Sequence, residues 1–241
     1  MNKKIRLDRL LSHMGFGTRS QVKKLIRQKR VRVDGKITNV INTSIMPETQ
    51  KVEVDDQEVK YTEYFYFIIN KPQGVISATI DNMHKTVIDL LNIEDKNKEV
   101  FPVGRLDIDT EGLLILTNDG KFSHFLLSPK KQVPKTYYAK VEGEVNEKDM
   151  EAFERGIILD DGYQCMPAQL TIIKSDHISE VEIIIHEGKY HQVKRMMRAV
   201  GKTVIYLKRT GMGSLKLPED LELGQYRVLT KEEKDLLKEI K

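Results

Sequence analysis

Cysteine is almost missing from this chain. Cys165 stands alone, so neither an internal disulfide nor a zinc cluster can be built, which suits a reducing compartment. Long apolar runs are missing too. The longest, Phe65–Ile69 and Leu113–Leu116, fall far short of the roughly 18–20 residues of a membrane-crossing helix. No apolar stretch of the secretory kind follows Met-Asn-Lys-Lys-Ile-Arg, so a soluble, cytoplasmic protein is expected. No Gly-x-Gly-x-x-Gly follows a strand, no Gly-x-x-x-x-Gly-Lys-Ser/Thr occurs, and no Gly-x-Ser-x-Gly elbow is present. Nucleotide cofactors and a glycine-rich S-adenosylmethionine site thus lack support, and no cofactor is expected. His186 and His191 superficially resemble a zinc-protease pair. They are five residues apart, about 140° around a helix, with Gly188 between them, so no metal is expected there.

What the chain does have is a core-forming composition and an uneven charge. Of its 241 residues 39% are hydrophobic, enough in periodic runs to bury a core and to exclude intrinsic disorder. Net charge is only +4, yet residues 1–36 hold twelve Lys or Arg against two acids, and the remainder is acidic. That asymmetry fits a basic module aimed at a polyanion on a body with another task; a solvated charged face is the plainer alternative.

Local patterns divide the chain near Lys60, giving domains of residues 1–60 and 61–241. In the first, Leu7, Leu10 and Leu11 share one face of a helix over Ile5–His13. A second helix starts at Thr18, where Thr18 and Gln21 form a capping box, and buries Val22, Leu25 and Ile26. Val31–Val33, the Asp34-Gly35 turn and Lys36-Ile37 read as a hairpin, followed by a strand at Val52–Val54. In the second domain, strands are predicted at Tyr64–Ile69, Val75–Thr79, Leu113–Thr117, Thr136–Val141, Gln169–Ile173, Glu180–Ile185 and Thr203–Lys208. Helices are predicted at Thr86–Leu91, Phe122–Leu127, Glu147–Arg155, Tyr190–Val200 and Lys231–Ile240. Strands joined by turns such as Asn118-Asp119-Gly120 favour a mixed, mostly antiparallel α+β fold over alternating βαβ units.

Two segments carry candidate chemistry. In Gly104-Arg105-Leu106-Asp107, a carboxylate beside an arginine precedes a buried strand; such a carboxylate can serve as nucleophile or base, or merely pair on a surface turn. In Glu187–Arg198, Val193, Met196 and Met197 have core spacing, leaving Lys194, Arg195 and Arg198 off the stripe. Those cations can hold phosphates, pin a carboxylate or form a solvated face.

Together these segments resemble the RsuA-type family of bacterial ribosomal-RNA pseudouridine synthases over essentially the whole chain. Gly104-Arg105-Leu106-Asp107 resembles the family signature, which implies Asp107 as catalytic nucleophile. Lys135-Thr136-Tyr137 resembles a second motif, implying that Tyr137 packs against the target base. Glu187–Met196 resembles a third, in which the basic residue after His-Gln-Val, here Lys194, pairs with the aspartate; whether Lys194 or Arg105 makes that pair stays open. Asn70-Lys71-Pro72-Gln73-Gly74 is similar to the family's opening motif, and residues 1–60 resemble the S4-like RNA-binding domain that precedes such catalytic domains. The implied RNA contacts are Arg6, Arg9, Arg19, Lys23, Lys24, Arg27, Arg30 and Arg32 in the first domain, with Lys71, Lys189, Tyr190 and Arg195 in the second. The Tyr190-His191-Gln192-Val193-Lys194-Arg195 form is similar to the enzyme that modifies one uridine of 16S rRNA. The implied partner is therefore 16S rRNA or the assembling small ribosomal subunit, approached by a monomer. A 23S rRNA enzyme of the same family and a non-catalytic ribosome-assembly factor are the rival readings.

Overall fold

The structure is a computed structural model describing residues 4–239. Two compact units emerge. One runs to Phe65 and takes in Ile88–Phe101; the other combines Tyr66–Val87 with the chain from Pro102 onward. A cut near Lys60 does not anticipate the return of Ile88–Phe101 to the first unit. That return depends on contacts far apart in sequence, such as Lys98 Nζ lying 4.7 Å from the Phe65 ring centre. Among the described residues no helix is long and apolar enough to cross a membrane.

The first unit contains β1 (Ile5–Arg6), α1 (Leu7–His13), α2 (Arg19–Arg27), β2 (Val31–Val33), β3 (Lys36–Thr38), β4 (Ser44–Ile45), β5 (Val52–Val54), β6 (Gln57–Glu58) and the short α3 (Ile93–Lys96). The expected capping box at α2 forms: the Gln21 N–H donates to the Thr18 hydroxyl and the Thr18 N–H to Gln21 Oε1. Asp34 and Gly35 both take positive φ, as a tight turn between β2 and β3 requires. Strands run in the order β3-β2-β5-β6, while β1 pairs separately with β4. Leu7, Leu10, Leu11, Val22 and Ile26 from the helices close on Val31, Ile45, Val52 and Val54.

In the second unit, β7 (Tyr66–Lys71), the two-residue β8 (Phe101–Pro102), β9 (Glu111–Thr117), β10 (Lys135–Glu142), β11 (Gln169–Lys174), β12 (Ile178–Ile185), β13 (Thr203–Met212), β14 (Leu215–Lys216) and β15 (Tyr226–Val228) alternate with α4 (Gly120–Leu127), α5 (Glu147–Arg155), α6 (Gln192–Ala199) and α7 (Lys231–Leu236). Seven strands follow the order β11-β12-β10-β13-β9-β7-β15. Along that path β13 and β9 run parallel and the other pairs run antiparallel, so the fold is the expected mixed, mostly antiparallel α+β. β9 is buried on both faces, which explains its continuous Leu-Leu-Ile-Leu run, whereas β10 alternates buried and more exposed positions. Asp119 caps α4 by accepting the Lys121 and Phe122 N–H groups, starting that helix ahead of its apolar residues.

Several local expectations change. The first helix begins at Leu7 rather than Ile5, because Ile5 and Arg6 pair as a strand with β4. Val75–Thr79 is not a strand: only an isolated bridge, Ile76 with Thr86, forms there. The Ser77 hydroxyl instead bonds both backbone groups of Leu106. The predicted helix at Thr86–Leu91 shrinks to a 3₁₀ turn, Val87–Leu90. α6 starts at Gln192 rather than Tyr190, because His191 adopts a left-handed conformation with φ +49° that breaks the helical path. α7 stops at Leu236, and the predicted end at Ile240 lies outside the described residues.

Candidate active site

Asp107 sits on the loop that enters β9, and the second unit's opening motif holds that loop from below. The Gly74 N–H donates to the Ile108 carbonyl at 2.8 Å, and the Thr110 N–H donates to the Asp107 carbonyl at 3.1 Å. Lys71 is fully buried, its Nζ donating to the Pro72 and Thr110 carbonyls at 2.9 Å each. Burial pulls its pKa down to about 8, against the opposing pull of Asp109, Asp107 and Glu111. The expectation of Lys71 as an RNA contact is therefore corrected: its ammonium braces the loop, and no part of its side chain reaches solvent.

The cation facing Asp107 comes from α6. Lys194 Nζ lies 3.2 Å from Asp107 Oδ2 and 2.6 Å from Asp109 Oδ1, and His191 Nε2 stands 3.6 Å from Asp107 Oδ1. Between Arg105 and Lys194, left open by the sequence, Lys194 makes the pair. Arg105 is exposed and has no ion pair among the described residues, but it lines the same cavity. Desolvation resists ionisation of Asp109, yet its bond and charge interaction with Lys194 carry its pKa below the ordinary value.

That cavity is about 120 Å³ and is lined by Arg105, Asp107, Thr110, Lys135, Tyr137, Lys194 and Arg209, among others. This is well below the ~300–1,000 Å³ of pockets that enclose a whole small molecule. A single planar base is the kind of group it can take. Tyr137 on β10 is buried, and its register partner on β13 is Arg209. Lys135 is only 7% exposed; its Nζ donates to the Val133 carbonyl at 3.0 Å, and burial with Arg209 nearby lowers its pKa to about 8. Lys135 as a buried cation, Arg209 and the His191 approach were not foreseen. One signal was available for Arg209: on a strand, it shares the inward face with Leu207.

Of the remaining candidates, Lys189 also lines this cavity and the others lie outside its lining. Lys189 is exposed and lies 4.4 Å from the Tyr163 ring centre, while Tyr190 is 68% exposed and stacks on His191 at 3.8 Å. Arg195 pairs with Asp160 and with Asp161, which ties that acidic turn to α6. Glu187, which the motif reading gave no task, is buried and accepts from the Tyr163 hydroxyl, the Met166 N–H and the Gln192 amide. In the first unit, Arg6 pairs with Asp8, Arg30 with Asp55, Arg32 with Asp56, and Arg19 lies 4.0 Å from Glu99. Arg9, Lys24 and Arg27 are exposed, Lys23 is half-buried, and none of the four forms an ion pair among the described residues.

Comparison with known proteins bears directly on this arrangement. Residues 65–199 match the family of RNA pseudouridylate synthases, and residues 5–43 match the S4 domain. An uncharacterised RNA pseudouridine synthase of Bacillus subtilis is 47% identical over 98% of this chain and 99% of its own length. The ribosomal large subunit pseudouridine synthase B of Bacillus subtilis is 39% identical, over 95% of this chain and 93% of its own. The ribosomal small subunit pseudouridine synthase A of Yersinia pestis is 38% identical, over 95% and 96%. A crystal structure of a pseudouridylate synthase superposes with a TM-score of 0.68 at 36% identity, covering 97% of this chain and 99% of that one.

Proposed function

The chain belongs to the RNA pseudouridylate synthase family, and from that premise we propose that it isomerises a uridine of 16S ribosomal RNA with Asp107 as nucleophile. The observation that carries the catalytic part is the meeting of three elements at one base-sized cavity. Asp107 stands on a braced loop, Lys194 lies 3.2 Å from its carboxylate, and Tyr137 lines the wall. Uridine must leave its stack to reach the half-buried Asp107 carboxylate, at a cost of a few kcal/mol that is lower in a flexible loop. Stacking on Tyr137 offsets part of that cost, at roughly 1–3 kcal/mol per base. Lys194 then balances the Asp107 charge once the base displaces water from the cavity. Isomerisation exchanges no electrons with a cofactor, so the chain's own groups suffice for the chemistry, and a monomer remains the working state of this proposal.

Ribosomal RNA as substrate is supported by the names of both large-subunit and small-subunit relatives, and a cytoplasmic site of action is part of the same proposal. The choice of 16S rRNA rests on the Tyr190–Arg195 form of the third motif. The S4 match and the exposed Arg9, Lys24 and Arg27 support phosphate contacts that position the enzyme while the second unit does the chemistry. Mapping pseudouridines in ribosomal RNA from cells with and without the gene tests the substrate. One 16S site is expected to vanish on deletion and to return with the wild-type gene but not with Asp107→Ala. Loss at a 23S site alone overturns the substrate; return of the signal with Asp107→Ala overturns the nucleophile.

A further inference from the structure

Four buried side-chain polar atoms lack a hydrogen-bond partner among the described residues, and two of them, Thr110 Oγ1 and Arg209 Nη2, belong to residues lining the Asp107 cavity. An unpaired buried donor costs roughly 1–3 kcal/mol, so such groups call for an explanation. Arg209 is only 2% exposed. Its Nε donates to the Leu113 carbonyl at 2.8 Å, which fixes the guanidinium plane and leaves Nη2 unspent. Thr110 is 1% exposed, and its backbone carbonyl is held by Lys71. Gly112 lets β9 approach the Arg209 backbone closely: a Cβ there would stand 2.2 Å from the Arg209 carbonyl oxygen. A buried cation with an unspent donor thus lines the same cavity as the carboxylate on which the reaction reading rests.

The reaction supplies what such donors can meet. When the N1–C1′ bond breaks, its electron pair leaves with uracil and spreads over N1, O2 and O4. Asp107 bonds C1′ as the base leaves; rejoining forms C5–C1′ as the Asp107–C1′ bond breaks and its electron pair returns to the carboxylate, the C5 proton is released and N1 gains one, so atoms and electrons balance without an outside reagent. We propose that Arg209, assisted by the Thr110 hydroxyl, is a catalytic residue that donates to a uracil carbonyl oxygen and stabilises the negative charge on the departing base. This rests on the Asp107 cavity being the uridine site. Preorganised donors act strongly where water is excluded, because they need no reorganisation as charge develops. Lys135, buried nearby, adds positive potential to the same cavity.

The test compares Arg209→Gln and Thr110→Val in single turnover on 16S and 23S rRNA transcripts made with uridine or with 5-fluorouridine. Fluorine at C5 supports negative charge on the ring, so a lost donor matters less. Arg209→Gln is expected to slow loss of N1-linked uridine about 100-fold, the low end for removal of one oxyanion donor. The loss on 5-fluorouridine RNA, read by nuclease digestion and mass spectrometry, should be at least tenfold smaller. Thr110→Val should show a milder loss with the same dependence, and it carries the test alone should Arg209→Gln fail to fold, because valine keeps the shape of threonine. Equal losses on the two RNAs, or no loss in either variant, overturn the proposal. Turnover by Asp107→Ala on either RNA would instead overturn the site reading beneath it.

Discussion

Replacing Lys194 by methionine removes the cation that touches both Asp107 and Asp109 while keeping most of the side chain's length. At 3.2 Å, two unit charges in an effective dielectric of about 20 attract by roughly 5 kcal/mol before desolvation is counted. The side chains of Lys194 and Asp107 are 20% and 28% exposed, so the pair is neither on the open surface nor sealed. Exposed pairs contribute ~0.2–1 kcal/mol, and breaking a buried one costs ~3–5 kcal/mol. An intermediate loss of about 2–3 kcal/mol corresponds to a rate reduced roughly 30- to 150-fold. Single-turnover pseudouridine formation with enzyme in excess over rRNA isolates that step, and filter binding reports RNA affinity separately. Lys194→Met should slow the first and leave the second within a factor of about three, while Lys194→Arg, which keeps the charge, should lose far less. A Lys194→Met enzyme turning over within twofold of wild type would refute the electrostatic reasoning.

Gly112→Ala should destabilise far more than Gly74→Ala. Both positions have positive φ, costing roughly 1–2 kcal/mol, but a Cβ at Gly74 meets nothing within 4 Å while one at Gly112 runs into the Arg209 backbone, adding roughly 1–3 kcal/mol. At about 2–4 °C per kcal/mol, thermal melts should separate the two, and equal melting points would contradict the close packing of β9 on β13. Lys71 gives a pH signature. Its folded pKa of about 8 lies below the ordinary 10.5, so the unfolded chain binds more protons between those values. Its contribution to stability therefore improves as pH rises from about 8 towards 10.5. Melts of wild type and Lys71→Met over that range should diverge in favour of wild type with rising pH; parallel curves would show that burial does not lower the Lys71 pKa.

Features set by neighbouring residues were legible in the sequence. The Thr18–Gln21 capping box, the Asp34-Gly35 turn and the inward alternation of β10 each depend on a few adjacent side chains. The family motifs carried the site further, bringing Asp107, Tyr137 and Lys194 to one cavity. What could not be read was the direction of long cationic side chains. Lys71 and Arg195 carry the same charge as any RNA-facing residue, but the first finds two carbonyls and the second finds Asp160 and Asp161. Val75–Thr79 has strand composition, and its failure to pair reflects the Ser77 bonds to Leu106, a partner 29 residues away. Arg209 required knowing which strand lies beside β9.

The parallel contact of β9 with β13 also has a consequence for the order of synthesis. The first unit cannot close until Ile88–Phe101 has been made, and Arg209 is added more than a hundred residues later. At ~5–20 residues per second, that leaves a gap of roughly 5–20 s between the two events. From the completion of Thr117 onward, which is most of that interval, β9 must wait with one edge of its apolar run unpartnered by β13. A nascent molecule thus acquires its basic first unit well before its catalytic cavity, and the cavity comes last because its two walls lie so far apart along the chain.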